Sequence, residues 1–404
     1  MGYAEVSKNP RVIAVVTGSR ADYNIYLPVL RRIQAEPDLK LHLIVSGMHL
    51  APEFGLTVAT IEADGFEVAE RVEMLLSSDT PEGIAKSMGL GTIGFAQSFA
   101  RFRPDILLIS ADRFEMHAAA VAALPFKIPI AHIEGGDLTQ GAIDDALRHS
   151  MTKLSHLHFV STDESARRVL QLGEEPWRIV ITGAPSLDNL KSTKLLAAAE
   201  LESKYGMRLT PSPLLVTFHP VTLEYEHAAD QMTELLEALR SADLPIVFTM
   251  PNADTGGRLI PRMIKEFVHT FPLARFVENL GTQDYLSMMF CAAAMVGNSS
   301  SGIIEAPSFR LPVVNVGTRQ QGRVRAANVI DVGYSRGEIL EGIKQAVQPS
   351  FRKSISDIVN PYGTGDAADK IVEHLRTIPL DQKTLLKTFH DIDGRYQDLR
   401  QPVG

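Results

Sequence analysis

The sequence has a single cysteine, Cys291, in 404 residues, which excludes an intrachain disulfide framework and any cysteine-pair metal site. It sits in the apolar stretch MMFCAAAMV and reads as a small buried thiol. Positive charge is also in deficit: 40 Lys and Arg against 48 Asp and Glu leave a formal charge of −8. No global basic field exists to gather nucleic acid, so any anionic ligand must be held locally. Long hydrophobic runs are missing, since the longest apolar-rich region, Ala118 to Ala131, is broken by Pro125, Lys127 and Pro129; no membrane association is expected. The opening MGYAEVSKNP has no apolar core of signal-peptide length, and a cytoplasmic protein is expected. No repeat of about 20 to 50 residues points to a solenoid. H-E-x-x-H and G-x-S-x-G are both absent.

What remains is ordinary globular composition, 45% hydrophobic and 22% charged, in a chain long enough for two or three domains. Short β-rich runs alternate with helix-like stretches, the pattern of an α/β protein with mainly parallel sheets. The first half carries strand candidates at 11–16, 41–46, 105–110, 128–133, 156–161 and 178–182, with a helix from Ser165 to Leu172 that stops at Gly173. After the turn-rich KYGMRLTPSP around Pro211 and Pro213, further candidates fall at 214–218, 245–250, 274–277, 294–296 and 312–316. Two Rossmann-like domains facing across a cleft are expected, at 1–190 and 191–375, with a polar tail, 376–404, left unplaced. Ligands of open parallel sheets sit beyond the carboxyl ends of the strands, so the loops after the strands are the place to look.

GLGTIG (Gly89 to Gly94) matches the dinucleotide fingerprint, but it follows a helix-like stretch rather than a strand, and the glycines read as helix packing or loop geometry. GNSSSGIIEA leads from a strand ending at Val296 into a helix start near Ser301, a place where backbone N–H groups and the helix dipole can hold phosphate; the bland alternative is a serine N-cap. Arg20, Arg258 and Arg319 stand in three other phosphate-compatible loops, and a guanidinium fork suits diphosphate oxygens. Asp112, Glu134, Asp137, Asp144 and Asp145 follow first-half strands and form a candidate acid–base set whose proton affinities burial can separate. His117, His132, His149, His156 and His158 offer metal ligands, but without a recognisable spacing, and no metal or other cofactor is expected.

GSRADY (Gly18 to Tyr23), ADRFE (Ala111 to Glu115), AHIEGGDLTQGAIDDALRHSMTKLSHLHF (Ala131 to Phe159), FHP (Phe218 to Pro220), PNAD (Pro251 to Asp254), GNSSSGIIE (Gly297 to Glu305) and GTRQ (Gly317 to Gln320) occur in one ordered series. Together they resemble the hydrolysing UDP-N-acetylglucosamine 2-epimerases of sialic- and legionaminic-acid biosynthesis, over a span from about Arg11 to Ile371. The resemblance implies a GT-B type fold, a homodimer or homotetramer, and conversion of UDP-GlcNAc and water into N-acetylmannosamine and UDP. It implies catalytic roles for Asp112, Glu134, Asp144 and His219. It places Arg20, Asn24, Arg113, His219, Asn252, Arg258, Leu280, Ser299, Ser300, Glu305 and Arg319 around the UDP-sugar. The segment from Glu134 to Asp144 is one residue longer than in the bifunctional sialic-acid enzymes, which leaves a UDP-2,4-diacetamido-2,4,6-trideoxy-hexose as the alternative substrate. A GT-B glycosyltransferase and a non-catalytic nucleotide-sugar sensor are the further alternatives. Because the C2 hydrogen is barely acidic, the chemistry implied is elimination of UDP to a glycal followed by hydration.

Overall fold

The computed structural model describes residues 9–78, 80–139, 143–250, 259–278 and 280–392. A first parallel sheet contains β1 (Arg11–Thr17), β2 (Leu39–Ser46), β3 (Val68–Val72), β4 (Ile106–Ser110), β5 (Ile130–Ile133), β6 (Leu157–Val160) and β7 (Ile179–Ile181), in the order β3-β2-β1-β4-β5-β6-β7. The second, also parallel, contains β8 (Leu214–Thr217), β9 (Ile246–Thr249), β10 (Ala274–Val277), β11 (Ala294–Gly297), β12 (Val313–Val316) and β13 (Val329–Val332), in the order β10-β9-β8-β11-β12-β13. The two Rossmann-like lobes expected from the strand pattern are therefore present.

The apolar strand runs have a simple cause. Along β1, Ile13 and Val15 enter one core with residues of helix Arg20–Ala35, whereas Ala14 and Val16 enter another with helices Pro81–Arg101 and Phe114–Ala123. A strand covered on both faces cannot alternate apolar with polar residues. The second sheet repeats this: Leu214 and Val216 belong to one core and Leu215 to the other. In each sheet the strand order reverses once, at β1/β4 and at β8/β11, and these switch points are where a crevice opens between diverging loops.

Two strands escaped the sequence reading. β3 (VAERV) and β13 (VIDV) both lie at sheet edges with partly exposed faces, so they carry charge where an inner strand such as β4 is apolar from Ile106 to Ile109. The expected boundary at 375 also needs correction. Helix Ala367–Thr377 buries Ala368, Ile371, Val372 and Leu375 in the core of the first sheet, so the chain returns to the first lobe. The tail follows it there: buried Arg178 donates to the carbonyls of Lys383, Thr384 and Leu386 at 2.8 to 3.0 Å, and Lys387 Nζ donates to Lys153 O at 2.8 Å. GLGTIG lies inside helix Pro81–Arg101, where a Cβ on Gly91 or Gly94 would stand 2.6 Å from Met74 or Val72; helix packing is its use. Cys291, expected to be buried, is half-buried at the end of its helix. No helix among the described residues is long and apolar enough to cross a membrane.

Candidate active site

The loops at the two switch points face each other across a cleft of about 690 Å³. On the first lobe, the turn after β1 is fixed by Asp22, whose buried carboxylate accepts from the backbone N–H of Gly18 (3.1 Å) and Ser19 (3.0 Å). That capping presents Arg20 and Asn24 to the cleft, and both reach the other lobe: Arg20 donates to Glu278 O at 3.3 Å, and Asn24 Oδ1 accepts from Thr282 Oγ1 at 2.8 Å. After β4, Arg113 is held by two bonds of 3.1 and 3.2 Å to the fully buried Glu115.

The two principal carboxyls follow β4 and β5. Ala111, just before Asp112, and Glu134 itself are left-handed (φ 56° and 60°), a backbone cost of the kind found where a side chain must be aimed. Helix Ile143–Leu154 then supplies Arg148, which ties the two together: it donates to the Asp112 carboxylate and, at 2.8 Å, to Glu134 O. Their environments separate them. Burial, reinforced by Asp137, pushes Glu134 up to about 8. Burial would raise Asp112 too, but Arg148, Arg323, Arg319 and Arg113 outweigh it and hold that carboxyl below the usual range. At neutral pH Glu134 thus keeps its proton while Asp112 is ionised. Divergent environments of this kind mark acid and base assignments. Glu134 Oε1 is buried and has no hydrogen-bond partner among the described residues, so it is available to a ligand.

On the second lobe, His219 follows β8 and is bonded through its backbone to the Asn298 side chain, at 2.7 Å from its N–H and 2.8 Å to its carbonyl. Asn298 O in turn accepts from Arg319 (3.1 Å) and Gln320 (2.8 Å), so three strand-end loops are joined at one residue. Gly297 permits the close approach: at φ 130°, a Cβ there would stand 2.0 Å from Thr217 O. Burial and the neighbouring Arg319 push His219 well below the usual imidazole range and leave the ring neutral. The helix expected near Ser301 does begin there, but it ends at Ile304 after four residues. So short a helix has little macrodipole, and the attraction for an anion falls to local N–H groups and Arg319. Glu305, raised by burial, also lines the cleft.

Eleven of the residues anticipated around the ligand thus meet in one cleft: Arg20, Asn24, Asp112, Arg113, Glu134, His219, Leu280, Ser299, Ser300, Glu305 and Arg319. Asp144 does not line it; it lies in the first turn of helix Ile143–Leu154 and acts electrostatically on Arg148. Asn252 and Arg258 fall outside the described residues. Arg148 and Arg323, which line the cleft, were not anticipated as site residues. Arg148 had a signal, one helical turn after Asp144 in IDDALRHS; Arg323 had only its place four residues beyond Arg319. Among the described residues, no group of three His, Cys, Asp or Glu is placed to hold a metal ion.

Comparison with known proteins agrees with this fold. The chain is 38% identical over 378 residues to the hydrolysing UDP-N,N'-diacetylbacillosamine 2-epimerase of Legionella pneumophila, covering 93% of this chain and 98% of that one. It is 37% identical to the hydrolysing GDP/UDP-N,N'-diacetylbacillosamine 2-epimerase of Campylobacter jejuni, with 95% and 99% covered. The fold is shared with the UDP-GlcNAc 2-epimerase of Neisseria meningitidis bound to UDP-GlcNAc, at a TM-score of 0.78 and 20% identity over 90% of this chain and 99% of that one. Residues 31–376 match the UDP-N-acetylglucosamine 2-epimerase family, and the chain, an enzyme with two parallel-sheet lobes around one cleft, belongs to it.

Proposed function

We propose that this enzyme is a hydrolysing 2-epimerase that eliminates UDP from a UDP-activated 2-acetamido sugar and hydrates the resulting glycal with inversion at C2. The observation that carries this reading is the pair of carboxyls of opposite protonation, Asp112 and Glu134, facing the arginine- and serine-bearing loops of the other lobe. Arg319, Ser299 and Ser300 draw off the diphosphate, helped by Arg20 from the first lobe. As the C1–O bond breaks, positive charge at C1 acidifies the C2 hydrogen, and a weak base such as ionised Asp112 suffices to accept it. Water then adds its hydroxyl at C1 while the Glu134 carboxyl delivers a proton to the opposite face of C2. The proton surrendered by that water recharges Glu134, and the one on Asp112 passes to solvent. Neutral His219 donates a hydrogen bond to the leaving group, and Asp144 supports the Arg148 cation.

The 2,4-diacetamido-2,4,6-trideoxy sugar is the preferred substrate, because the relatives at 37 and 38% identity are named for it; UDP-GlcNAc is the second reading. Supplying both UDP-sugars in deuterated water and following the products by proton NMR tests substrate and mechanism together. The expected result is UDP release with deuterium and inverted configuration at C2. Release with the original hydrogen and configuration retained overturns the mechanism.

Two further outcomes are expected. Since Glu134 must be protonated to act, kcat should fall as pH rises through about 8; a flat profile from 6 to 9 removes it as the acid. Arg319→Ala should weaken UDP binding by about 10-fold or more, the worth of a charge-assisted bond, and an unchanged dissociation constant by calorimetry takes Arg319 out of the nucleotide site.

A further inference from the structure

Two arginines cross between the lobes in opposite directions. Arg323, on the second-lobe segment that follows β12, donates through Nε to Leu138 O (2.8 Å) and through Nη2 to Thr139 Oγ1 (3.3 Å), both on the loop that follows β5 and Glu134. Arg168, on first-lobe helix Asp163–Gln171, donates through Nη1 to Gly136 O in that same loop (3.2 Å) and through Nη2 to Gly322 O (3.1 Å), the residue beside Arg323. Each lobe thus grips the other's loop next to the point where it is itself gripped.

Thr139 connects the grip to the chemistry. Its hydroxyl accepts from Arg323 and from Arg148 (3.1 Å) and donates to Asp112 (3.2 Å), which uses its one hydrogen and both lone pairs. Gly136 holds the loop down on the helix that bears Arg168: at φ 79°, a Cβ there would stand 2.3 Å from Ser165 O. On the other side, the gripped segment includes Arg319, bonded to Asn298 O among the phosphate-compatible loops.

We propose that Arg168 and Arg323 are positioning residues, a reciprocal clasp that couples the seating of the nucleotide-binding loop to the placement of Asp112 and Glu134. The inference rests on the catalytic reading given above for those two carboxyls. In the clasped state the Asp112 side chain is held at a fixed distance from the departing diphosphate, which is where an elimination gains from alignment. Loss of either arginine removes one tie on the loop after β5, which Asp145 and Arg148 still hold at Thr139, and leaves the bond from Arg319 to Asn298 O in place, so turnover suffers while nucleotide binding persists.

The two arginines differ in a way that separates positioning from mere support. The charged groups that act most strongly on Glu134 are Asp137, Arg148, Arg323 and Glu305, and those on Asp112 are Arg148, Arg323, Arg319 and Arg113. Arg323 belongs to both sets and Arg168 to neither. Arg323→Gln is therefore expected to lower kcat by about 10- to 100-fold, leave the UDP dissociation constant within about 3-fold, and move the alkaline limb of the pH profile upward. Arg168→Gln should lower kcat comparably with the limb unmoved. Because both hold the same pair of loops, the double variant should lose far less than the product of the single losses. Arg323→Lys, which keeps the charge but not the two-point grip, should leave the limb in place and lower kcat; it and Arg168→Gln carry the test should Arg323→Gln fail to fold. Unchanged kcat in these variants, or UDP affinity falling in step with kcat, overturns the clasp. A wild-type enzyme that liberates no UDP from either sugar overturns instead the reading on which the clasp depends.

Discussion

Glu134→Gln is expected to cut turnover by about 10²-fold or more while leaving UDP affinity near normal. Glutamine keeps the size of the side chain but has no acidic proton to deliver, and the groups assigned to the diphosphate belong to other loops. Asp112→Asn should show a loss of similar size, for the complementary reason that a neutral amide cannot accept the C2 proton. Single-turnover UDP release beside calorimetric UDP binding separates the two effects, and an equal loss of binding in either variant removes that residue from the chemistry. Glu134→Gln has a second signature in stability. The folded Glu134 sits at about 8, above the ordinary 4.5, so the folded state holds a proton that the unfolded chain releases. This group's contribution is complete below about 4.5 and is lost as pH rises through about 8, amounting to several kcal/mol at about 1.4 kcal/mol per unit. Denaturant unfolding at pH 6 and pH 9 should therefore show a steeper loss in the wild type than in Glu134→Gln.

How much of this was legible in the sequence depended on how local each signal is. Inner strands such as β4, apolar from Ile106 to Ile109, announce themselves because both faces are buried. Edge strands β3 and β13 do not, since Glu70, Arg71 and Asp331 occupy faces that water can reach. Helix Ala367–Thr377 shows its apolar stripe in the sequence, but a stripe does not say which sheet it will cover, and that is where the boundary at 375 failed. The residues of the candidate site were legible for a related reason: strand-end loops of parallel sheets converge, so Asp112, Glu134, His219 and Arg319 could be collected from separate segments into one cleft. The cations that set their protonation were not, because Arg148 pairs with Asp112 across 36 residues and Arg323 with Thr139 across 184. No spacing rule reports such contacts. Asp22 illustrates a motif residue whose use is structural: it lies within GSRADY, but its carboxylate is taken up by the N–H groups of Gly18 and Ser19.

Arg148 is where stability and activity should fail together. Its guanidinium is buried, and it donates to the Asp112 carboxylate, Glu134 O and Thr139 Oγ1. Removing one partner of a buried ion pair typically costs about 3–5 kcal/mol, and the loss here falls at the lower end, because the Asp112 carboxylate left behind is 17% exposed and still faces Arg323, Arg319 and Arg113. Arg148→Gln is therefore expected to lower the unfolding free energy by an amount in that range, and kcat should fall as well, since Asp112 then loses the first of the cations that keep it ionised and its proton affinity rises with burial. The sign follows: the acid limb of the activity profile moves to higher pH in the variant. Combining Arg148→Gln with Asp112→Asn discriminates this account from simple loss of packing. Neutralising the stranded carboxylate should recover part of the stability lost in the single variant, while activity stays low because the proposed C2 base is gone. Denaturant titrations of the two single variants and the double variant provide the cycle. A double variant as unstable as the two losses added together would show that Arg148 acts as filler rather than as the counter-charge of Asp112.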